Sequence, residues 1–149
     1  MSSPPPTPQQ LKKALIASGF EVFRTLSGEV ELAERVRENL ILDSGVRLGP
    51  ADDGRLRVRV VLRAQRADFP NDDEAALFER VRKLAEPAVA GGFAEVSTNI
   101  HAVKDPADPD RVLDTFYELF LAREVADLTD ALPVLQFALS LEKAVGHSR

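Results

Sequence analysis

Cysteine and tryptophan are absent from this 149-residue chain, and methionine, tyrosine and histidine are nearly so, with one, one and two copies. Without cysteine there is no disulfide, no thiolate nucleophile and no cysteine-ligated metal, a composition that suits a reducing compartment. Two histidines, His101 and His147, leave little imidazole acid-base chemistry. Long apolar runs are missing as well. The most apolar stretch, residues 131–141, already contains Gln136 and Ser140 and falls far short of the roughly 20 residues a membrane-spanning helix needs. There is no P-loop and no G-x-G-x-x-G, and Gly91-Gly92 follows a helical pattern and precedes a strand, so it reads as a helix C-cap and not as a phosphate cradle. The expectations are no cofactor, no metal, no membrane partner and a cytoplasmic location.

Residues 1–10 carry four prolines with no apolar run and no positive charge, which is unlike a secretory signal and predicts a disordered tail over 1–7 ahead of a single α+β domain over 8–146. A hydrophobic content of 44% with 29% charged residues is ordinary for a globular protein. A chain of this length buries roughly 68–70% of the surface its unfolded form exposes. Arginine outnumbers lysine 14 to 5 and alanine is abundant, a usage that suits a GC-rich bacterial genome. Residues 1–70 hold 11 basic and 9 acidic side chains while residues 71–149 hold 8 and 15, against a net charge of −5. That asymmetry suits complementary halves of one fold and equally suits a dimer.

Periodicity predicts a helix from Thr7, with Pro8 at its first position and Gly19 at its end, then a strand over Phe20–Leu26 closed by Ser27-Gly28. The segment Glu29 to Leu42 fits both a helix with a Val30, Ala33, Val36, Leu40 stripe and a strand. A return strand after Ser27-Gly28 favours the latter. Asp43–Gly45 reads as a turn, Val46–Leu48 as a short strand and Pro50–Gly54 as a hairpin loop. Asn71 is the expected N-cap of a helix that Pro87 terminates near Glu86. Phe93–Val103 alternates as a half-buried strand, Val112–Val125 as its hairpin partner after a loop over Lys104–Asp110, and a last helix is expected from near Thr129 to Val145.

The most informative pattern lies over residues 55–66, where Arg55, Arg57, Arg59 and Arg63 alternate with Leu56, Val58, Val60 and Leu62. Strand side chains alternate between faces, so the apolar set meets a core and the arginines line the other side. Glutamates 29, 31 or 34 on an adjacent strand could answer them. A partner protein or a phosphate-bearing ligand could do the same, because guanidinium forks fit carboxylates and phosphates. Nucleic acid is the weaker candidate, since the chain is acidic and the row carries Val61 and Gln65 in place of stacking aromatics.

Acid-base chemistry would need His101 beside Asp114, which a hairpin register facing Val103 with Val112 would supply; a surface cross-strand pair explains the same residues. In D-P-A-D-P-D, residues 105–110, turn chemistry explains the three aspartates better than a calcium loop, whose ligand alternation is missing. The last helix is apolar on most sides, so Leu135, Phe137, Leu139 and Leu141 are candidate partner contacts together with the arginine row.

The order of elements, from Leu11–Gly19 into Phe20–Leu26, then Leu56–Gln65 followed by the helix Glu74–Ala85, then the hairpin Phe93–Val125 before the helix Ala131–Val145, resembles the type III secretion chaperone-like fold that includes YbjN-type proteins. That resemblance implies an antiparallel sheet of five to six strands with helices near the N-terminus, middle and C-terminus. It also implies a non-catalytic, dimeric adaptor that holds an extended segment of a client protein. The arginine row belongs to no such family pattern, and a phosphate-ligand or nucleic-acid binder is the alternative.

Overall fold

The computed structural model describes residues 6–146. Most of the expected N-terminal tail and the whole of His147 lie outside the described residues. Within them the elements run α1 (Pro8–Ala17), β1 (Val22–Leu26), β2 (Glu29–Arg37), β3 (Leu40–Pro50), β4 (Leu56–Gln65), α2 (Glu74–Ala90), β5 (Ala94–Asp105), β6 (Asp108–Val125) and α3 (Leu128–Ser140). The strands form an antiparallel sheet in the order β1-β2-β3-β4-β6-β5, the expected α+β class. The chain divides into two compact units, residues up to 60 with 122–141, and residues 61–121 with those from 142 onward.

In the first unit, Thr7 and Gln10 close a capping box on α1: the Thr7 hydroxyl accepts from the Gln10 N–H at 3.2 Å and Gln10 Oε1 accepts from the Thr7 N–H at 2.9 Å. Pro8 begins the helix, Leu11 and Leu15 are its buried pair, and Gly19, at φ +92°, ends it. Ser27 and Gly28 both have positive φ, the geometry a two-residue hairpin turn requires. The return strand β2 therefore pairs Thr25 with Val30 and Arg24 with Glu31. Residues 29–42 are accordingly strand, although not one strand, because Glu38-Asn39 makes the turn into β3.

The D-S-G run read as a turn is a bulge inside β3. Register shifts from Ala33↔Asp43 to Glu31↔Arg47 across it. Asp43 Oδ1 accepts from the Gly45 N–H at 2.9 Å, Gly45 sits at φ +78°, and the buried Ser44 hydroxyl donates to Leu32 O at 2.8 Å and accepts from the Val46 N–H at 3.2 Å. Turn residues thus satisfy a strand irregularity instead of reversing the chain. Val46, Leu48, Val58 and Val60 join Val30 and Leu32 in a core completed by Leu11, Leu15 and the buried face of α3, Ala131, Val134, Leu135 and Ala138. Asp127 caps α3 by accepting from the Asp130 N–H at 3.0 Å, and the helix stops at Ser140, short of the expected Val145.

In the second unit α2 starts from Asp73, whose side chain accepts from the Ala76 N–H at 2.8 Å, and not from Asn71. Asp72 is committed elsewhere, to Arg80 at 2.5 Å. Pro87 does not stop the helix, which continues to Ala90 because Gly91 N–H still reaches Pro87 O at 3.0 Å. Leu77, Val81, Ala85 and Ala88 form the buried stripe, and Phe78 meets Tyr117 of β6 edge-on at 5.5 Å. The expected Lys104–Asp110 loop is mostly strand, with the reversal confined to Pro106-Ala107. Beyond α3, Arg63 N–H donates to Lys143 O and Val145 N–H to Arg63 O, each at 2.9 Å, so Ala144 forms an isolated parallel bridge with Arg63 of β4.

Removing the Ser44 hydroxyl leaves two buried backbone groups without their partner. Ser44→Ala is expected to cost about 1–3 kcal/mol, read as a lower urea midpoint with an unchanged denaturant slope.

Candidate interaction surfaces

The polar side of β4 is paired with carboxylates from within each unit. In the first, Arg57 Nη2 lies 3.0 Å from Glu124 Oε1 and Arg55 Nη1 lies 3.9 Å from its Oε2. Arg59 Nη1 reaches Glu29 Oε1 at 2.7 Å. Gly49 makes room for that pair, since a Cβ there would come within 2.8 Å of Glu29 Cγ. In the second unit Arg63 Nη2 lies 3.7 Å from Glu118 Oε2, with its guanidinium 5.4 Å from the centre of the Phe116 ring.

Of the three glutamates that periodicity set opposite the row, Glu29 meets it. Glu31 is instead the buried centre of a separate cluster, 1% exposed, hydrogen-bonded by Arg24 Nε and 3.2 Å from Arg47 Nη2. The Arg47 approach lacks the alignment of a hydrogen bond. The hydrogen bond that Arg24 donates to Glu31, and then the charge of Glu31, raise the Arg24 guanidinium above its ordinary pKa. Glu34 is exposed. Glu118 and Glu124 come from β6, whose even positions from Asp114 to Phe120 carry acidic and aromatic side chains; that alternation was the available signal, but nothing local joins it to β4.

The apolar candidates fare differently. Leu135 is fully buried and belongs to the core, so it cannot also meet a partner. Phe137, Leu139 and Leu141 are half-buried and have interactions of their own. The last helix is therefore not the bare apolar face that its composition suggested.

His101 and Asp114 do not form a dyad. His101 stacks on Phe116, ring centres 6.4 Å apart, while Asp114 accepts from Gln65 Nε2 and the Ala67 N–H, both at 3.1 Å. Asp105 and Asp108 accept turn N–H groups at 2.9 and 3.1 Å. Among the described residues no group of three potential ligands is placed to hold a metal, and no helix is long and apolar enough to cross a membrane.

Each unit exposes apolar strand residues. In the first, Phe23 and Leu26 lie on β1, the end strand of the sheet, and Val36, Ile41 and Leu42 lie at the tip of the β2–β3 hairpin. The same unit has a pocket of about 510 Å³ lined by Leu11, Ala14, Leu56 and Leu128 with Asp53 and Asp127. In the second, every residue from Ala94 to Ala102 is exposed, so the face of β5 expected to be buried is not; Val96 reaches 61%. The period-two pattern was real, but burial in β6 is confined to its far part, Tyr117 onward. No family model matches the chain, and no curated protein or solved structure matches it either.

The two kinds of ion pair should separate in equilibrium unfolding. Glu31→Ala strands Arg47 beside a buried site and is expected to cost about 3–5 kcal/mol, whereas Arg57→Ala, at a solvent-exposed pair, should cost at most about 1 kcal/mol. Equal costs would mean that Glu31 is not the anchor its burial implies.

Proposed function

We propose that this chain is a non-catalytic protein-interaction module, a cytoplasmic, chaperone-like adaptor that works as a homodimer and holds an extended segment of another protein. The observation that carries the reading is the open edge of the first unit. β1 ends the strand order, with no described strand on its outer side, and Phe23 and Leu26 stand exposed on it. Strand addition obtains affinity from main-chain hydrogen bonds and selectivity from alternate side chains. An extended client carrying apolar side chains fits that arrangement, and Val36, Ile41 and Leu42 of the same unit give it further apolar surface.

The alternative, a phosphate or nucleic-acid binder, draws less support. Each arginine of the row already stands by a carboxylate, so an incoming phosphate would have to displace an internal anion in a chain of net charge −5. Catalysis draws less again, with His101 and Asp114 held to other partners.

A peptide array of extended, alternately apolar segments, followed by calorimetry on the strongest binder, tests the reading. Binding in the micromolar range is expected, falling at least about tenfold (~1.4 kcal/mol) in Leu26→Lys and little changed in Arg57→Ala. If no such peptide binds, or Leu26→Lys binds as well as the parent, the β1 edge is not a client site.

A further inference from the structure

β5 is the other end of the strand order and is built differently from β1. It is a 12-residue strand, against five in β1. Long edge strands are ordinarily blunted by a proline, a lysine in mid-strand, a bulge or a covering segment, because an unpaired row of N–H and C=O groups recruits other strands. From Val96 to Val103 the sequence has no charged residue, no proline and no glycine. Charges occur only towards the two ends, at Glu95, Lys104 and Asp105. Both faces are exposed over Ala94–Ala102, so neither is reserved for an internal core.

The occupant can be argued from the strand itself. Two copies of one edge joined about a two-fold axis run antiparallel, and residues directly opposite must lie on the same face, which fixes the axis at a residue of the strand and leaves few registers. Centring on Ile100 would oppose Glu95 with Asp105, like charge against like. Centring on Thr98 leaves Val103–Asp105 overhanging the strand. Centring on Asn99 pairs the edge from Ala94 to Lys104, roughly 35 Å of strand at the usual rise, with no like charges opposed. It sets Val96 against Ala102, Thr98 against Ile100 and Ser97 against His101. The face bearing Asn99 and His101 is already ordered, Asn99 Nδ2 donating to Glu118 Oε1 at 3.0 Å and His101 lying on Phe116. The other face carries the exposed Val96 and Ile100, which self-pairing would bring into one apolar stripe.

We propose that two copies of this chain join through their β5 edges, antiparallel, about a two-fold axis at Asn99. The partner at this surface is thus a second copy, distinct from the client assigned to β1, and it gives the proposed homodimer a defined interface.

The absence of cysteine makes the test direct. Asn99→Cys introduces the only thiol. Opposed Cα atoms in an antiparallel pair lie about 4.5–5.5 Å apart, within disulfide reach; Ile100→Cys would sit diagonally, at about 7–8 Å. Light scattering of the parent at tens of micromolar should give twice the chain mass. Under mild oxidation Asn99→Cys should cross-link at least tenfold faster than Ile100→Cys. Thr98→Lys with Ile100→Lys, which opposes lysines twice at exposed positions, should give a folded monomer by circular dichroism and scattering. A monomeric parent, preferential cross-linking at Ile100, or a double-lysine variant that stays dimeric would each overturn the inference. A monomer that still binds peptide at β1 would overturn it while leaving the adaptor reading in place.

Discussion

A guanidinium stays charged in any protein environment, so a strand that buries every second residue and puts half-exposed arginine at the others favours anions on its polar side. β4 is such a strand, and the pairing of its arginines constrains the strands around it. Glu29 on β2 answers Arg59 and, within the same unit, Glu124 on β6 answers both Arg55 and Arg57. A slip of one residue in β2 would carry Glu29 and Glu31 to the apolar side and Val30 and Leu32 to the charged one. Gly49 is part of the same constraint, because any side chain there would displace Glu29. The uneven charge along the chain has a local meaning here: a carboxylate from the acidic later half serves arginines from the basic earlier half.

Local signals were legible where the chemistry was local. Thr7-Pro8, Ser27-Gly28 and Pro50–Gly54 each impose a backbone geometry by themselves, and α1, the β1–β2 hairpin and the β3–β4 hairpin followed from them. Errors arose where a residue with a local preference was used by something distant. Asp43, Ser44 and Gly45 have turn chemistry, yet their hydrogen bonds close a bulge facing β2. Asn71 is a good cap by type, but Asp73 does the capping. Pro87 lacks only one donor, and the flanking hydrogen bonds carry the helix past it. The last helix ends early because Lys143 and Val145 are taken by the backbone of Arg63, a pairing that helical periodicity cannot show.

The candidate surfaces were the least legible part, for a related reason. Alternation in β5 reports which side chains share a face, but not whether anything covers that face. An apolar α3 reports burial without saying that Leu135 is spent on the core. The arginine row was readable as a feature and not as a site, since Glu118 and Glu124 reach it only through the pairing of strands far apart in sequence.

Edges carry the remaining argument, because within the second unit the chain treats two of them differently. Beside Arg63, the free side of β4 is filled by residues 143–145, with hydrogen bonds in both directions. A few residues of extended chain therefore suffice to close an edge in this fold. On the outer side of β5, a much longer strand, no described strand pairs at all. An end strand exposed on both faces over Ala94–Ala102 gains little from its own side chains. The main-chain groups it leaves open are then its largest available source of stabilisation. A strand shaped by that imbalance is more stable paired than bare, and the neutral run from Val96 to Val103 removes the charges that would otherwise oppose pairing.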